Sequence, residues 1–302
     1  MLTATVVVSC YNQKHYIDEA LQSVLGQQTN FDFNILISDD CSTDGTREII
    51  TDYQSLYPEK ITAISRRQNI GAGRNYIEAH KMATGDIIFH LDGDDVMLPG
   101  KLQKQFDVFQ EETVNLVFHR ALYFSDDASY QAETGNPNQD REGIKYFEAS
   151  DLATWGTVAV HSSYAYRRSA RKVMDPKREF MEWFFAMDAL IPTGKGAYLN
   201  EILVKYRCNP TGGAYLASKA GRYKAYNIYF DDLLHYFKAQ PALRKELYAN
   251  GLVTTLAMLK NGSGYAKGVP FFLLTNLLNF RMSNFKESIK MRAAVAPSKR
   301  IR

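Results

Sequence analysis

Four short apolar runs, each followed by a polar loop and then by residues at helical spacing, limit the folds open to this chain more than any other feature. Thr5-Val6-Val7-Val8-Ser9 is a β-branched run with the character of a buried strand. Beyond it, Ile17, Ala20, Leu21, Val24 and Leu25 fall on one helical face, and Gly26 stands where such a helix would stop. The pattern recurs. Phe33 to Ser38 reads as strand, Asp39 to Thr46 as loop and Arg47 to Leu56 as helix. Ile61 to Ser65, the turn Gly71-Ala72-Gly73, the helix Arg74 to Met82 and the strand Asp86 to Leu91 complete the series. Strands alternating with helices predict right-handed crossovers and a mostly parallel sheet with helices on both faces, an α/β fold. Ligands of such sheets bind where loops leave the C-terminal strand ends. The loops to inspect are therefore 10–13, 39–46, 69–75 and 92–95.

Later segments are less regular. Lys101 to Glu112 reads as helix, Asn115 to Phe124 as paired strands, and Asp126 to Gly143 as a polar loop or hairpin. A stretch rich in Trp, Tyr and Phe runs to Gly213. Ala214 to Leu259 and Gly268 to Met291 read as helices, which places a soft boundary near 214 between a 1–213 domain and a helical 214–302 extension.

Composition rules out several classes. With 302 residues, 45% hydrophobic and 23% charged, the chain can bury a full core and is not disordered. Cys10, Cys41 and Cys208 are too few and too scattered for a disulfide framework or a structural zinc site, so a reducing compartment, the cytoplasm, is expected. No signal peptide is read at the start of the chain. The net charge of +3 conceals opposed regions. Residues 1–160 carry 24 acidic and 12 basic side chains, residues 161–260 carry 8 and 16, and residues 261–302 carry 1 and 8.

The acidity concentrates at strand ends. Leu91-Asp92-Gly93-Asp94-Asp95 packs three carboxylates into four positions after a buried strand. That arrangement suits a hard divalent cation, Mg²⁺ or Mn²⁺, bridging to a ligand's phosphates, and equally suits a solvated turn before the helix that follows Pro99. Ser38-Asp39-Asp40-Cys41-Ser42-Thr43-Asp44-Gly45-Thr46 holds a second acidic turn. Asp44 or Thr43 can cap the next helix, whereas Asp39 and Asp40 can accept hydrogen bonds from a nucleotide base or ribose or, each taken singly, form an Asx turn. His90, His119 and His161 show no ligand spacing and read as packing or surface residues.

These motifs taken in order, with the opening Val6-Val7-Val8-Ser9-Cys10-Tyr11-Asn12 and with Asn69-Ile70-Gly71 and Arg74-Asn75, resemble family 2 glycosyltransferases of the GT-A, Rossmann-like fold, of the kind that builds bacterial surface polysaccharide. The resemblance implies a nucleotide-sugar donor, most simply a UDP-sugar. It places Ser9 and Tyr11 at the base, Asp40 as the reader of uracil with Asp39 beside it, and Arg74 near the diphosphate. Asp92-Gly93-Asp94 becomes the DxD pattern at the donor, with Asp94 and Asp95 as metal ligands. Glu182, in Phe180-Met181-Glu182-Trp183, stands at the position of the catalytic base, with Glu179 and Asp188 as fallbacks. Tyr206-Arg207 and the turn Asn209-Pro210-Thr211-Gly212-Gly213 resemble a flexible loop that closes on the diphosphate.

The implied reaction is a single displacement with inversion, delivering the sugar to a hydroxyl of a glycan or lipid-linked acceptor. Two other readings stay open, a sugar-nucleotide nucleotidyltransferase and a non-catalytic sugar-nucleotide-binding protein. The first calls for a glycine-rich, basic phosphate loop after the first strand, and Ser9-Cys10-Tyr11-Asn12-Gln13 is not one. At the other end, Gly268 to Phe280 is apolar but too short to span a bilayer, and is followed by Arg281, Lys286, Lys290, Arg292, Lys299, Arg300 and Arg302. It reads either as a helix lying on an anionic inner leaflet or as one packed on the catalytic domain. No nucleic-acid-reading motif accompanies the basic residues.

Overall fold

The computed structural model describes residues 2–137, 143–173, 176–208, 219–261 and 268–298. The chain order begins β1 (Ala4–Cys10), α1 (Ile17–Leu25), β2 (Phe33–Asp39), α2 (Thr46–Leu56), β3 (Ile61–Ser65), α3 (Ala72–Met82) and β4 (Ile87–Asp92). It continues through β5 (Val96–Met97), α4 (Lys101–Val108), β6 (Val114–Phe124), β7 (Gln131–Glu133), β8 (Ile144–Phe147), α5 (Ala149–Trp155) and β9 (Ala165–Arg167). The last elements are α6 (Glu182–Leu190), β10 (Lys195–Arg207), α7 (Lys219–Ala239), α8 (Arg244–Lys260), α9 (Val269–Thr275) and α10 (Met282–Val295).

All ten of these strands join one sheet in the order β3-β2-β1-β4-β9-β6-β10-β5, with β7 added to β6 and β8 to β10. The first four strands pair in parallel, as the strand-helix alternation requires. Beyond β4 the pairing is mixed. Three-residue β9 lies antiparallel to both β4 and β6, β10 runs parallel to β6, and β5, β7 and β8 are antiparallel additions. The parallel description therefore holds for the half built from residues 4–92, and the aromatic region supplies an antiparallel wedge. A three-residue strand carries too little periodicity to be read from sequence.

Both sheet faces are covered, which is why the first strands are apolar throughout. Val6, Val8, Ile35, Ile37, Phe89 and Leu91 pack with Ile17, Leu21 and Val24 of α1, Ile50 of α2 and Leu102 of α4. Val7, Leu36 and Ile88 point the opposite way, into a core shared with Tyr76 and Ile77 of α3, Trp155 of α5 and Trp183 of α6. Alternate residues of one strand serve two cores.

The second core reaches into the C-terminal helices, taking in Tyr229, Leu233, Tyr248, Phe272 and Met291. Tyr236 donates its hydroxyl proton to the Phe184 carbonyl at 2.7 Å, and the Asn250 side-chain amide donates to the Ala153 carbonyl at 2.8 Å. Arg292 is not a surface cation as its place in the basic run suggested. It is tucked against α5 and α8, donating to the Trp155 carbonyl and to Asn250 Oδ1, both at 2.7 Å. The long helix expected from Ala214 to Leu259 is two helices, α7 and α8, broken by a turn at Pro241. The boundary near 214 and the turn Asn209–Gly213 fall outside the described residues.

Candidate active site

The loops after β1 and β2 hold each other. The amides of Asn12, Gln13 and Lys14 donate to Ser42 Oγ, Thr46 Oγ1 and Asp44 Oδ2 at 2.8, 2.8 and 3.0 Å, and the Thr43 amide donates to Asn12 Oδ1 at 2.9 Å. Asp44 Oδ1 also accepts the Thr46 amide at 3.0 Å, ahead of an N-cap that is Gly45 and not the expected Asp44 or Thr43. Asn12 and Cys41 both adopt positive φ, 51° and 66°, where the chain reverses. These amides are spent on side chains, so the β1 loop offers no nest for phosphate.

Asp39 and Asp40 are both buried. Asp39 accepts hydrogen bonds from the Ser42 amide and hydroxyl and from Arg47 Nε at 3.3 Å, so it ties the loop to α2. Asp40 braces the turn into α3, accepting the amides of Ile70 and Gly71, one on each oxygen, at 2.9 Å. Each carboxylate oxygen keeps a second lone pair. Beside them, Ser38 and Arg66 Nε both donate to Asn75 Oδ1, at 2.7 and 2.8 Å. Arg74 stands in the first turn of α3, paired with Glu78 at 2.5 Å. Tyr11 is 47% exposed at the tip of the β1 loop. Ser9 pairs with both Ser38 and Asp92 across the sheet, and its buried hydroxyl has no partner.

The β4 loop is where the structure brings together groups far apart in sequence. Gly93 donates its amide to the Ser9 carbonyl at 2.9 Å. A Cβ on Gly93 would sit 2.8 Å from Cys10 Cβ and still nearer Gln13 Oε1, so only glycine permits this approach. Asp92 accepts His90 Nε2 on one oxygen at 3.0 Å and faces His161 Nδ1 with the other at 3.6 Å. Burial alone would raise its pKa, but the nearby His161 and His90 hold it well below the usual carboxylate range.

His90 and His161 are thus not mere packing residues, as their spacing had suggested. His90 lies two positions before Asp92 on one strand, hence on the same face, and that signal was present in the sequence. His161 comes from the turn before β9 and carries no such signal. His119 is buried with Nδ1 on the Arg120 carbonyl at 2.8 Å, as a packing residue would be. Behind His90 runs a buried chain. His80 Nε2 meets His90 Nδ1 at 3.0 Å, His80 Nδ1 meets the Tyr166 hydroxyl at 2.6 Å, and Arg171 Nη1 meets the same hydroxyl at 3.1 Å. Burial drives His80 well below its ordinary value and brings His90 down to about 4. Both rings are therefore neutral, with one donor each. The only consistent order is Arg171 donating to Tyr166, Tyr166 to His80, His80 to His90, and His90 to Asp92.

Asp94 and Asp95 are held from the far edge of the sheet. The Arg207 amide donates to Asp95 Oδ1 at 2.8 Å and Arg207 Nε donates to the Asp94 carbonyl at 2.7 Å. The same guanidinium pairs with Glu19 Oε2 at 2.7 Å and with Asp126, and lies against the rings of Tyr16 and Phe124. Arg207 was expected at the diphosphate; here it fixes the loop that carries the carboxylates. Burial, added to the Asp92 charge, raises the Asp94 pKa to about 6, and burial with the Asp94 and Asp92 charges raises Asp95 well above the usual carboxylate range. Asp95 Oδ2 is buried without a partner. Crowded carboxylates with raised pKa values and an orphaned oxygen fit a hard divalent cation.

Glu182 opens α6 and brings Oε1 to 4.0 Å from His161 Nδ1, so Glu182 and Asp92 face the same imidazole. The fallback carboxylates lie elsewhere. Asp188 is buried and accepts the amides of Lys172 and Val173 at 2.7 and 2.9 Å, and exposed Glu179 pairs with Lys224 at 2.6 Å. His90, Asp92 and His161 also present one ligand atom each within 4.8 Å of one another.

This site sits on a known framework. The profile of glycosyl transferase family 2 matches residues 5–174, more than half of the chain. The chain belongs to glycosyl transferase family 2. An uncharacterized glycosyltransferase of Nostoc sp. is 32% identical over 223 residues, covering 72% of this chain and 68% of its own length. TuaG of Bacillus subtilis, named for a glycosyltransferase role in teichuronic acid biosynthesis, is 28% identical over 241 residues, covering 78% of this chain and 90% of its own. Among solved structures, that of Staphylococcus aureus TarS residues 1–349 with UDP-GlcNAc superposes with a TM-score of 0.63 at 18% identity, over 96% of this chain and 79% of that one. That likeness shows the shared fold. The matched span holds the loops after β1, β2 and β4 and the turn before β9, while Glu182 and Arg207 lie beyond it.

Proposed function

We propose that this family 2 protein is an inverting glycosyltransferase that moves a sugar from a UDP-sugar to a hydroxyl of a glycan or lipid-linked acceptor in surface-polysaccharide synthesis. The observation that carries the reading is the convergence of Glu182 and Asp92 on His161, which sets a candidate base beside the carboxylates of the donor loop. The TarS structure with UDP-GlcNAc and the name of TuaG support the donor and acceptor classes.

In this reading Tyr11 stacks on the base, Asp40 accepts from uracil through its remaining lone pairs, Arg74 faces the diphosphate, and Asp92 contacts ribose or sugar. Glu182 takes the proton of the acceptor hydroxyl. That oxygen forms its bond to the anomeric carbon as the bond to the diphosphate oxygen breaks on the opposite face, which inverts the centre. A Mn²⁺ or Mg²⁺ ion held by Asp94 and Asp95 would offset the charge on the leaving diphosphate. The imidazole of His161 holds Glu182 and Asp92 at one point, so the base and the donor carboxylate keep a fixed relation.

The nucleotidyltransferase alternative is disfavoured by the β1 loop, whose amides already donate to Ser42, Thr46 and Asp44. A cytoplasmic location is supported by the three free cysteines and by a nucleotide-sugar donor. Among the described residues no helix is long and apolar enough to cross a membrane. The test is hydrolysis and transfer from a panel of UDP-, GDP- and dTDP-sugars with Mn²⁺. Preference for UDP donors, loss in EDTA and loss in Asp94→Ala are expected; turnover of a GDP- or dTDP-sugar in preference to UDP-sugars would overturn the role of Asp40.

A further inference from the structure

Beyond its donor site, the molecule carries an apolar ridge on α9 and the turn that follows. α9 divides cleanly. Val269 and Phe272 face inward, Phe272 against Tyr248, Phe230 and Phe237, while Phe271 and Leu274 face out three residues apart. The turn after α9 adds Leu277 and Leu278, and α10 opens with exposed Met282. Phe271 is 72% exposed and Leu278 is 92% exposed. Single exposed apolar side chains are ordinary, but five within twelve residues form a patch that a monomer leaves bare only for a reason.

Charge identifies the occupant. Arg281 joins the ridge directly, its guanidinium donating to the carbonyls of Leu278 and Phe280 at 3.1 and 2.7 Å, so a full cation is fixed beside the most exposed leucine. One turn into α10, Lys286 and then Lys290 stand exposed on the stripe that also carries Ile289, while Ser288, Met291 and Val295 face inward. The acids of this region are paired, exposed Glu287 accepting from Trp155 Nε1 at 3.2 Å and half-buried Glu246 from Asn284 Nδ2 at 3.1 Å. Residues 261–302 hold eight basic side chains and one acidic. Lys267, Lys299, Arg300 and Arg302 among them lie outside the described residues. An apolar ridge flanked by cations, too short to span, is the chemistry of an interfacial anchor.

We propose that Phe271, Leu274, Leu277 and Leu278 insert into the headgroup boundary of an anionic bilayer, with Arg281, Lys286 and Lys290 on its phosphates. This surface is independent of the donor site in its residues. It is tied to the rest of the molecule through α8, which packs against α5, α9 and α10.

The test is co-sedimentation of the full chain with phosphatidylcholine vesicles with and without phosphatidylglycerol, at low and high salt. Binding to the anionic vesicles alone, weakened by salt, is expected. Leu277→Asp with Leu278→Asp should lower the bound fraction about tenfold or more, and Lys286→Glu with Lys290→Glu about tenfold. All four side chains are exposed, so an unchanged melting temperature checks the fold of each variant. No sedimentation of the parent chain with anionic vesicles overturns the proposal, as does binding that survives the double aspartate variant. A dimer that the aspartates dissolve, without vesicle binding, also overturns it by making a second copy the occupant. UDP-sugar hydrolysis measured without vesicles reads the donor site separately, so failure of one reading is not mistaken for failure of the other.

Discussion

The β3-β2-β1-β4 half of the sheet and the β9-β6-β10 half build one site by different means. In the first, β2 and β3 add to one side of β1 in chain order and β4 returns to its other side, the pairing is parallel, and each loop follows its own strand. Its loops brace one another through side chains about 30 residues apart. In the second half, His161, Ser162 and Arg207 reach the β4 loop from about 70 to more than 100 residues away, through an antiparallel insertion and a long strand, and Glu182 meets it through His161. The first, near half offers the carboxylates, and the second, far half sets His161 beside Asp92 and Arg207 on the Asp94–Asp95 turn. Four substitutions test that division.

The largest effect is expected at Glu182. Glu182→Gln should lower kcat for transfer by about 100- to 10,000-fold while leaving the KM for the donor nearly unchanged, as removal of a general base does. Retained transfer activity would move the base to another residue. Asp94→Ala tests the near half, with an expected loss of about 100- to 1,000-fold in both hydrolysis and transfer, since it removes charge compensation at the leaving group. Activity that is indifferent both to this change and to EDTA would sink the metal-assisted reading.

Arg207→Met asks whether the far half holds the near one. Its guanidinium is nearly buried, while its partners Glu19 and Asp126 are half-exposed. Releasing it should cost about 2 kcal/mol in urea unfolding, at the low end for a broken buried pair because solvent relieves the partners. It should also raise the KM for the donor, because the Asp94 carbonyl loses its tether while the backbone amide hydrogen bond to Asp95 remains. A variant with the parent stability and KM would show that the loop stands without it.

The smallest effect concerns His161. Burial lowers its pKa, but the Asp92 and Glu182 charges outweigh burial and raise it above the usual 6.5 or so. A raised histidine pKa contributes stability that is fully present below the unfolded value and is lost as pH rises through the folded one. The melting-temperature advantage of the parent over His161→Gln should therefore be greatest below the unfolded value of about 6.5 and shrink as pH rises above it. An advantage that grows with pH would mean that His161 is not paired with these carboxylates.

The strand-helix alternation, the loops to inspect and the acidic turns were legible because their causes are local. Val6-Val7-Val8 must be buried on both sides, Asp44 takes the amide two residues on, and Asp92-Gly93-Asp94-Asp95 follows its strand directly. His90 was legible and passed over, since two-residue spacing on a strand puts it on the face of Asp92. The partners of Asp92, Asp94 and Asp95 on the far half were not legible, because nothing near Ser162, His161 or Arg207 names the loop each will meet.

By itself the sequence determined a doubly covered sheet with an acidic C-terminal edge and a basic, partly apolar tail, since residue type and spacing decide which groups can be buried and which faces they share. Tertiary structure alone decided that a neutral histidine chain aims at Asp92, that Arg207 grips the Asp94–Asp95 turn, that Arg292 is an internal tie, and which leucines of the tail stay bare. Those outcomes depend on which distant surfaces meet. A charge or an apolar side chain acquires its role from the groups that desolvate it, and sequence spacing does not name them.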